Sequence, residues 1–241
     1  MVDLISFLHS EPLSLALREK CSVERYEPGR ILERLLDGQA RTGMVSLLAY
    51  MENRDALRLS RSASIHTAHT TMSTLLLGRG QGLRKSIEVA VTRYTRTTEF
   101  YLSLILRRLN VDFRLYRSDG TEAADLLGER EYALVIGDEA LRAYSQGYSI
   151  VMDIGSEFSR LYNLAPLYAV TVSSDEAEEE ILRQGVRDSD MHRLECVPLG
   201  VERGIRADIA RRYLSLIRYD WSPLTERTLS FIGEVFRKQD R

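Results

Sequence analysis

Two stretches of the chain gather side chains that can hold an anion or move a proton. In SFLHSEPLSLAL (residues 6–17), Ser6, His9, Ser10 and Glu11 stand between an apolar run ending at Ile5 and the helically spaced Leu13, Ala16 and Leu17. In TRYTRTT (92–98), four threonines and two arginines follow the apolar SIEVAV. Smaller gatherings are Ser46 inside TGMVSLLAY, Asp138 directly after VIG, and Thr70, Thr71 and Ser73 inside SIHTAHTTMST. Hydroxyls and free backbone N–H groups at a helix start bind anions, and a histidine exchanges protons near neutral pH. The same residue types also serve as helix caps or solvated loop groups. Each position therefore carries both a functional and a structural reading.

Other chemistries are poorly served. His66 and His69 stand three apart, but no third ligand is obvious, so no metal site is expected. Cys21 and Cys196 offer neither a disulfide framework nor a paired-cysteine metal site. No G-x-S-x-G elbow announces a hydrolytic serine. The glycine-rich GRGQG (78–82) follows an apolar run, as a phosphate loop would. The next segment, SIEVAVT, reads as a strand, so the lysine-hydroxyl pair before it opens no helix. The loop is read as a turn, and no cofactor is implied.

Lys plus Arg total 33 and Asp plus Glu 35, so no basic footprint for nucleic acid exists. No apolar run approaches the roughly 18 residues of a membrane span. With Asp3 and no basic flank at the N-terminus, a cytoplasmic protein is expected.

Positioning the polar groups requires an alternation of elements. DLISFL (3–8) predicts a strand, 12–20 a helix, SVERYE (22–27) a strand and RILERLLDG (30–38) a helix stopped by Gly38. TGMVSLLAY (42–50) predicts a buried strand or strand plus turn. This series implies an α/β fold with a parallel sheet. STLLL (73–77) reads as one more strand. After GRGQG the alternation restarts, with strands at 86–92, 111–116 and 132–137 and helices at 97–109, 121–127 and 138–144. A long strand at 165–174 precedes helices to the end, with Ser174 offered as a cap and Ser222–Pro223 opening the last. The expected lobes are 1–77 with 171–241, and 78–170. In open parallel sheets ligands bind beyond the carboxyl ends of strands, which is where the polar groups fall.

SFLHSEPLSLAL, GMVSLLAYMENRD, TRTTEFYLSLIL, LVIGDEALRAY, MDIGSEFSRLYNLAPLYAV and RRYLSLIRYD occur in this order along nearly the whole chain. The series resembles the menaquinone-biosynthesis enzymes of the futalosine route, specifically chorismate dehydratase; 1,4-dihydroxy-6-naphthoate synthase shares that fold. The resemblance implies a type 2 periplasmic-binding-protein-like fold, two α/β lobes with an interlobe cleft. It also implies a lyase that dehydrates an anionic small molecule, chorismate. Where the dehydratases have asparagine in the first turn, this chain has His9. Where they have a glycine-proline-valine-glycine-serine stretch, it has His69-Thr70-Thr71-Met72-Ser73, and Ser73 falls on the family's serine. The two threonines are more similar to the naphthoate synthase.

On this reading Ser73, on the family's serine, and His9, a group that exchanges protons near working pH, are the expected catalytic residues. The resemblance gives Ser6, Ser10, Ser46, Thr70, Thr71, Thr95, Arg96, Thr97, Thr98 and Asp138 as substrate-binding, with Arg93 a further source of charge. His9 either moves a proton at the departing hydroxyl or replaces asparagine as a neutral hydrogen-bonding group. Asp138 is expected to cap a helix or to orient a hydroxyl or an arginine. A paralogous lyase, or a binding module for a small carboxylate, fits the same features.

Overall fold

The computed structural model describes residues 1–92 and 95–239. Arg93 and Tyr94 lie outside them. In chain order the elements are β1 (Val2–Ile5), α1 (Glu11–Leu17), β2 (Val23–Tyr26), α2 (Pro28–Leu36), β3 (Thr42–Ser46), α3 (Leu47–Glu52), β4 (Leu59–His66), β5 (Thr74–Gly78), β6 (Ser86–Thr92), α4 (Arg96–Arg108), β7 (Asp112–Ser118), α5 (Ala123–Glu129), β8 (Tyr132–Ile136), α6 (Gly137–Gln146), β9 (Ile150–Asp153), α7 (Ile154–Tyr162), β10 (Leu167–Ser173), α8 (Glu176–Asp188), α9 (Val197–Glu202), α10 (Ala207–Leu216) and α11 (Pro223–Gln239). They divide into two compact units. Unit 1 comprises 1–67, 164–196 and 217–241; unit 2 comprises 68–163 and 197–216. The sequence reading changes lobes at 77/78 and 170/171. The units change at 67/68 and 163/164, and 197–216 returns to unit 2.

Unit 1 is built on a five-stranded sheet in the order β2-β1-β3-β10-β4. β1 runs parallel to both β2 and β3, as the opening alternation predicts. β10 is antiparallel to β3 and β4, so the sheet is mixed and not all parallel. Leu4, Met44, Val45, Ile65 and Val170 are buried in its core. α1 lies on α8, where Gly185 permits a close approach: a Cβ there would stand 2.6 Å from Leu17 Cδ2. Asp3 in mid-strand is fully buried, and its Oδ2 accepts from Arg34 Nε of α2 at 2.8 Å.

Three expectations change here. The strand expected over 3–8 ends at Ile5, and Leu8–Ser10 form a 3-10 turn leading into α1. The run 42–50 is split, because the Ser46 hydroxyl accepts the Ala49 N–H and starts α3. The cap of α8 is Asp175, accepting from Ala177 and Glu178 N–H, and not Ser174.

Unit 2 has a second five-stranded sheet, ordered β7-β6-β8-β5-β9. β6 is parallel to β7 and β8; β5 is antiparallel to β8 and β9. The period of two along β5 and β8 sends Leu75, Leu77, Ala133 and Val135 into a core closed by Ala123, Leu126, Ala140 and Ala143 from α5 and α6. α4 and α7 pack together, with the Tyr101 and Phe158 rings 4.4 Å apart. After GRGQG the chain enters β6 and no helix, so the phosphate-loop geometry is absent there.

Candidate functional site

In unit 1, the parallel direction of β1, β3 and β4 brings their carboxyl ends to one edge of the sheet. Ser6 follows β1 there, Ser46 ends β3 and His66 ends β4. The Ser6 N–H donates to Tyr26 O at 3.0 Å, and the Ser10 N–H to Phe7 O at 3.0 Å, which folds residues 6–10 into a tight turn. His9 is buried in that turn, its ring edge-on to Phe7 with centroids 5.7 Å apart. Tyr219 Oη donates to the His9 carbonyl at 2.6 Å. Ser10 is fully buried, and its Oγ has no hydrogen-bond partner among the described residues. Native structures rarely leave such a hydroxyl unsatisfied. Glu11 is tied to Arg25 of β2. Ser46 is engaged as the α3 cap, its structural reading.

His66 adds a second buried imidazole to this edge. Its Nδ1 lies 3.0 Å from Ser64 Oγ, which donates its one proton to Asp220 O at 2.8 Å. The hydroxyl must therefore accept, so His66 Nδ1 carries hydrogen. Burial pushes the imidazole pKa down to about 4; Asp220 opposes the shift and Arg218 adds to it. Among the described residues, no cluster of three or more His, Cys, Asp or Glu could hold a metal ion.

In unit 2, the corresponding edge holds the ends of β6, β8 and β9 and the start of β5. Asp153, the last residue of β9, accepts the N–H groups of Thr71 (3.2 Å), Met72 (2.6 Å) and Ser156 (2.9 Å). One carboxylate thus caps α7 and shapes the turn before β5, where Met72 takes φ +61°. Ser156 Oγ donates to Thr70 Oγ1 at 3.0 Å. The Ser73 carbonyl accepts the Gly137 N–H at 2.8 Å, setting Ser73 beside the start of α6. Thr95 occupies the α4 cap position, but its hydroxyl turns back to Thr92 O at 2.8 Å. Thr97 and Thr98 are buried in the first turn of α4; Arg96 is exposed.

Asp138 does not cap α6. The cap position is Ile136, without a side-chain bond, and Asp138 Oδ2 accepts from Arg203 Nη1 at 2.7 Å. The capping expectation is corrected: the carboxylate orients an arginine from the α9–α10 connection. Arg142 in turn donates to the Arg203 carbonyl at 3.4 Å.

The predicted residues therefore fall in two sets. Ser6, His9, Ser10 and Ser46 share the carboxyl edge of the unit 1 sheet. Thr70, Thr71, Ser73, Thr95, Arg96, Thr97, Thr98 and Asp138 share that of unit 2. Sequence reasoning missed Asp153, Arg203 and Tyr219. Asp153 had a signal, since an Asp ahead of Ile154 and Phe158 is an N-cap pattern. Arg203 and Tyr219 had none, because their partners lie 65 and 210 residues away.

AF1704 from Archaeoglobus fulgidus superposes with a TM-score of 0.77 at 14% identity, covering 99% of this chain and 97% of its own. The periplasmic aliphatic sulphonate binding protein SsuA from Escherichia coli gives 0.72 at 13% identity, covering 99% and 86%. The alkanesulfonate-binding SsuA from Xanthomonas axonopodis pv. citri, bound to MOPS, gives 0.71 at 13%, covering 99% and 92%. These likenesses place the chain in the α/β periplasmic-binding-protein-like fold. A search of curated proteins gave no match. A family model described as menaquinone biosynthesis matches residues 2–233, and the chain belongs to that menaquinone-biosynthesis family.

Proposed function

We propose that this protein is a carbon–oxygen lyase that dehydrates chorismate to 3-[(1-carboxyvinyl)oxy]benzoate. The observation that carries the reading is the family match over residues 2–233. The motif resemblance narrows the family to this reaction. Chorismate is a dianion with an allylic ring hydroxyl. The step breaks that C–O bond and the C–H bond on the adjacent ring carbon. Water leaves, and the electron pair of the C–H bond completes an aromatic ring. Aromatisation makes the step strongly downhill, so the protein has chiefly to hold, orient and polarise.

The residues offered for this are of three kinds. His9 delivers a proton to the departing hydroxyl from a turn that buries its ring. Ser10 Oγ, buried and without a hydrogen-bond partner among the described residues, and Ser73 donate to substrate oxygens. Thr70 and Thr71 supply hydroxyls, and the first turn of α4 from Thr95 to Thr98 supplies N–H groups together with the Thr97 and Thr98 hydroxyls for carboxylates, with Arg96 adding charge. Ser6 and Ser46 complete the unit 1 set, and Asp138 contributes through Arg203. Water loss of this kind needs no redox cofactor. No helix among the described residues is long and apolar enough to cross a membrane.

The test is incubation with chorismate under ultraviolet detection, with mass analysis for loss of one water. An aromatic benzoate product is expected. Tight binding without turnover would replace the lyase by a carboxylate-binding module. Inertness towards chorismate would favour a paralogous lyase of the naphthoate-synthase type, the reading that Thr70–Thr71 supports.

A further inference from the structure

The direction of the His9 side chain depends on what holds its backbone. Residues 6–10 form a short turn whose cap residue Phe7 makes no side-chain capping bond. A bond to the His9 carbonyl comes from far along the chain. Tyr219 is 2% exposed, and its phenol donates to the His9 carbonyl at 2.6 Å. That is a short bond for a neutral pair.

Tyr219 is itself firmly held. Its carbonyl accepts the Ser64 N–H at 2.8 Å. The preceding residue, Arg218, exchanges two backbone bonds with His66, at 2.9 and 3.1 Å, in an antiparallel bridge. The Arg193 guanidinium covers the phenol ring at 5.4 Å. The end of β4 therefore fixes the tyrosine, and the tyrosine fixes the peptide of His9. Holding the carbonyl restricts the His9 backbone dihedrals and hence the direction of its Cα–Cβ bond. The Phe7 ring, edge-on at 5.7 Å, then limits the rotation of the imidazole.

We propose that Tyr219 is a positioning residue that aims the His9 imidazole by hydrogen-bonding the His9 carbonyl. The proposal rests on the assignment of His9 above. Near-attack geometry is steep, and a displacement of about 1 Å costs on the order of a hundredfold in rate. Removal of the phenol oxygen is therefore expected to lower kcat and leave KM nearly unchanged.

The experiment compares Tyr219→Phe, His9→Asn and the double variant on chorismate, together with NMR titration of the His9 ring protons in the first and in the wild type. Tyr219→Phe should lose about ten- to a hundredfold in kcat with KM within about threefold. In the His9→Asn background it should cost almost nothing further. Its His9 resonances should broaden or titrate at a displaced pH. Incorporation of 4-aminophenylalanine at 219, which keeps a donor in place, should restore most of the activity. Equal fractional losses in both backgrounds, or an unchanged kcat, would overturn the proposal. So would a Phe variant that fails to fold while the amino variant folds, because the bond would then be a fold support. If the wild type is inert on chorismate, the dehydratase reading fails. The NMR titration then decides alone: unaltered His9 resonances overturn the positioning role, and altered ones sustain it.

Discussion

The Asp153 carboxylate accepts the backbone N–H of Met72 at 2.6 Å, and Met72 stands at φ +61° within one residue of Thr71 and Ser73. A buried, unbranched residue in the left-handed region persists when its surroundings over-determine it. Asp153→Ala should strip acceptors from Thr71, Met72 and Ser156 together and destabilise the chain by about 2 kcal/mol or more. Asp153→Asn keeps one acceptor oxygen and should cost roughly half as much. Urea unfolding of the three proteins measures both. An Ala variant as stable as wild type would show the turn to be held otherwise.

His66 gives a pH dependence of defined sign. Its folded pKa, near 4, lies below the unfolded value near 6.5, chiefly because it is buried. The unfolded chain therefore binds its proton first as pH falls. The histidine's contribution is intact above about pH 6.5 and is lost progressively towards about pH 4, by roughly 3 kcal/mol in all. Asp175 and Asp208, whose pKa values are lowered by their hydrogen-bond partners, lose their contributions chiefly below this window. His66→Gln should flatten the stability profile between pH 4 and 6.5. A variant with the wild-type slope would assign the dependence to other groups.

Gly185→Ala tests the α1–α8 packing. The new Cβ would meet Leu17 Cγ at 2.8 Å and Cδ2 at 2.6 Å, and Leu17 is fully buried. Overpacking of this kind costs about 1–3 kcal/mol, set against a helix-propensity gain of about 1. A net loss is expected in thermal unfolding. Gly128→Ala in α5, where nothing lies within 4 Å, is the control and should be neutral or slightly stabilising. A stabilised Gly185→Ala protein would mean that the two helices separate easily.

His9→Asn separates the two roles open to that residue. If the imidazole moves a proton, the variant should fold normally and lose about two to four decades of turnover on chorismate. If it only donates a hydrogen bond, asparagine should serve nearly as well. Rates from pH 5 to 9 decide. An active variant with a flat profile would remove His9 from the catalytic set.

The strands with continuous apolar side chains were legible in the sequence. β1, β3, β5, β6 and β8 each combine such a run with a turn residue nearby. β4 was not. Its Ser60, Ser62 and Ser64 are buried, yet they satisfy one another and Asp220 by hydrogen bonds, so burial left no apolar periodicity to read. The run LLAY after Ser46 reads as more strand or as a turn, and a capping hydroxyl makes it α3. The hydroxyl-rich turns of the candidate site were visible by type. What holds them was not, because Asp153 reaches back 81 residues to Met72 and Tyr219 reaches back 210 to His9. Propensity and spacing carry no information about such pairs.

The order β2-β1-β3-β10-β4 has a consequence for biosynthesis. β3 and β4 are made early, but the strand that joins them emerges only after all of 68–163 has been translated. Until then the two strand edges that β10 will cover stay open on a nascent chain, one of them the apolar Thr42–Ser46. Such edges recruit other strands, and pairings of high sequence separation form slowly. Before the arrival of β10, the growing polypeptide therefore has its longest exposure to misassembly, and a chaperone that shields bare edges would act in that interval.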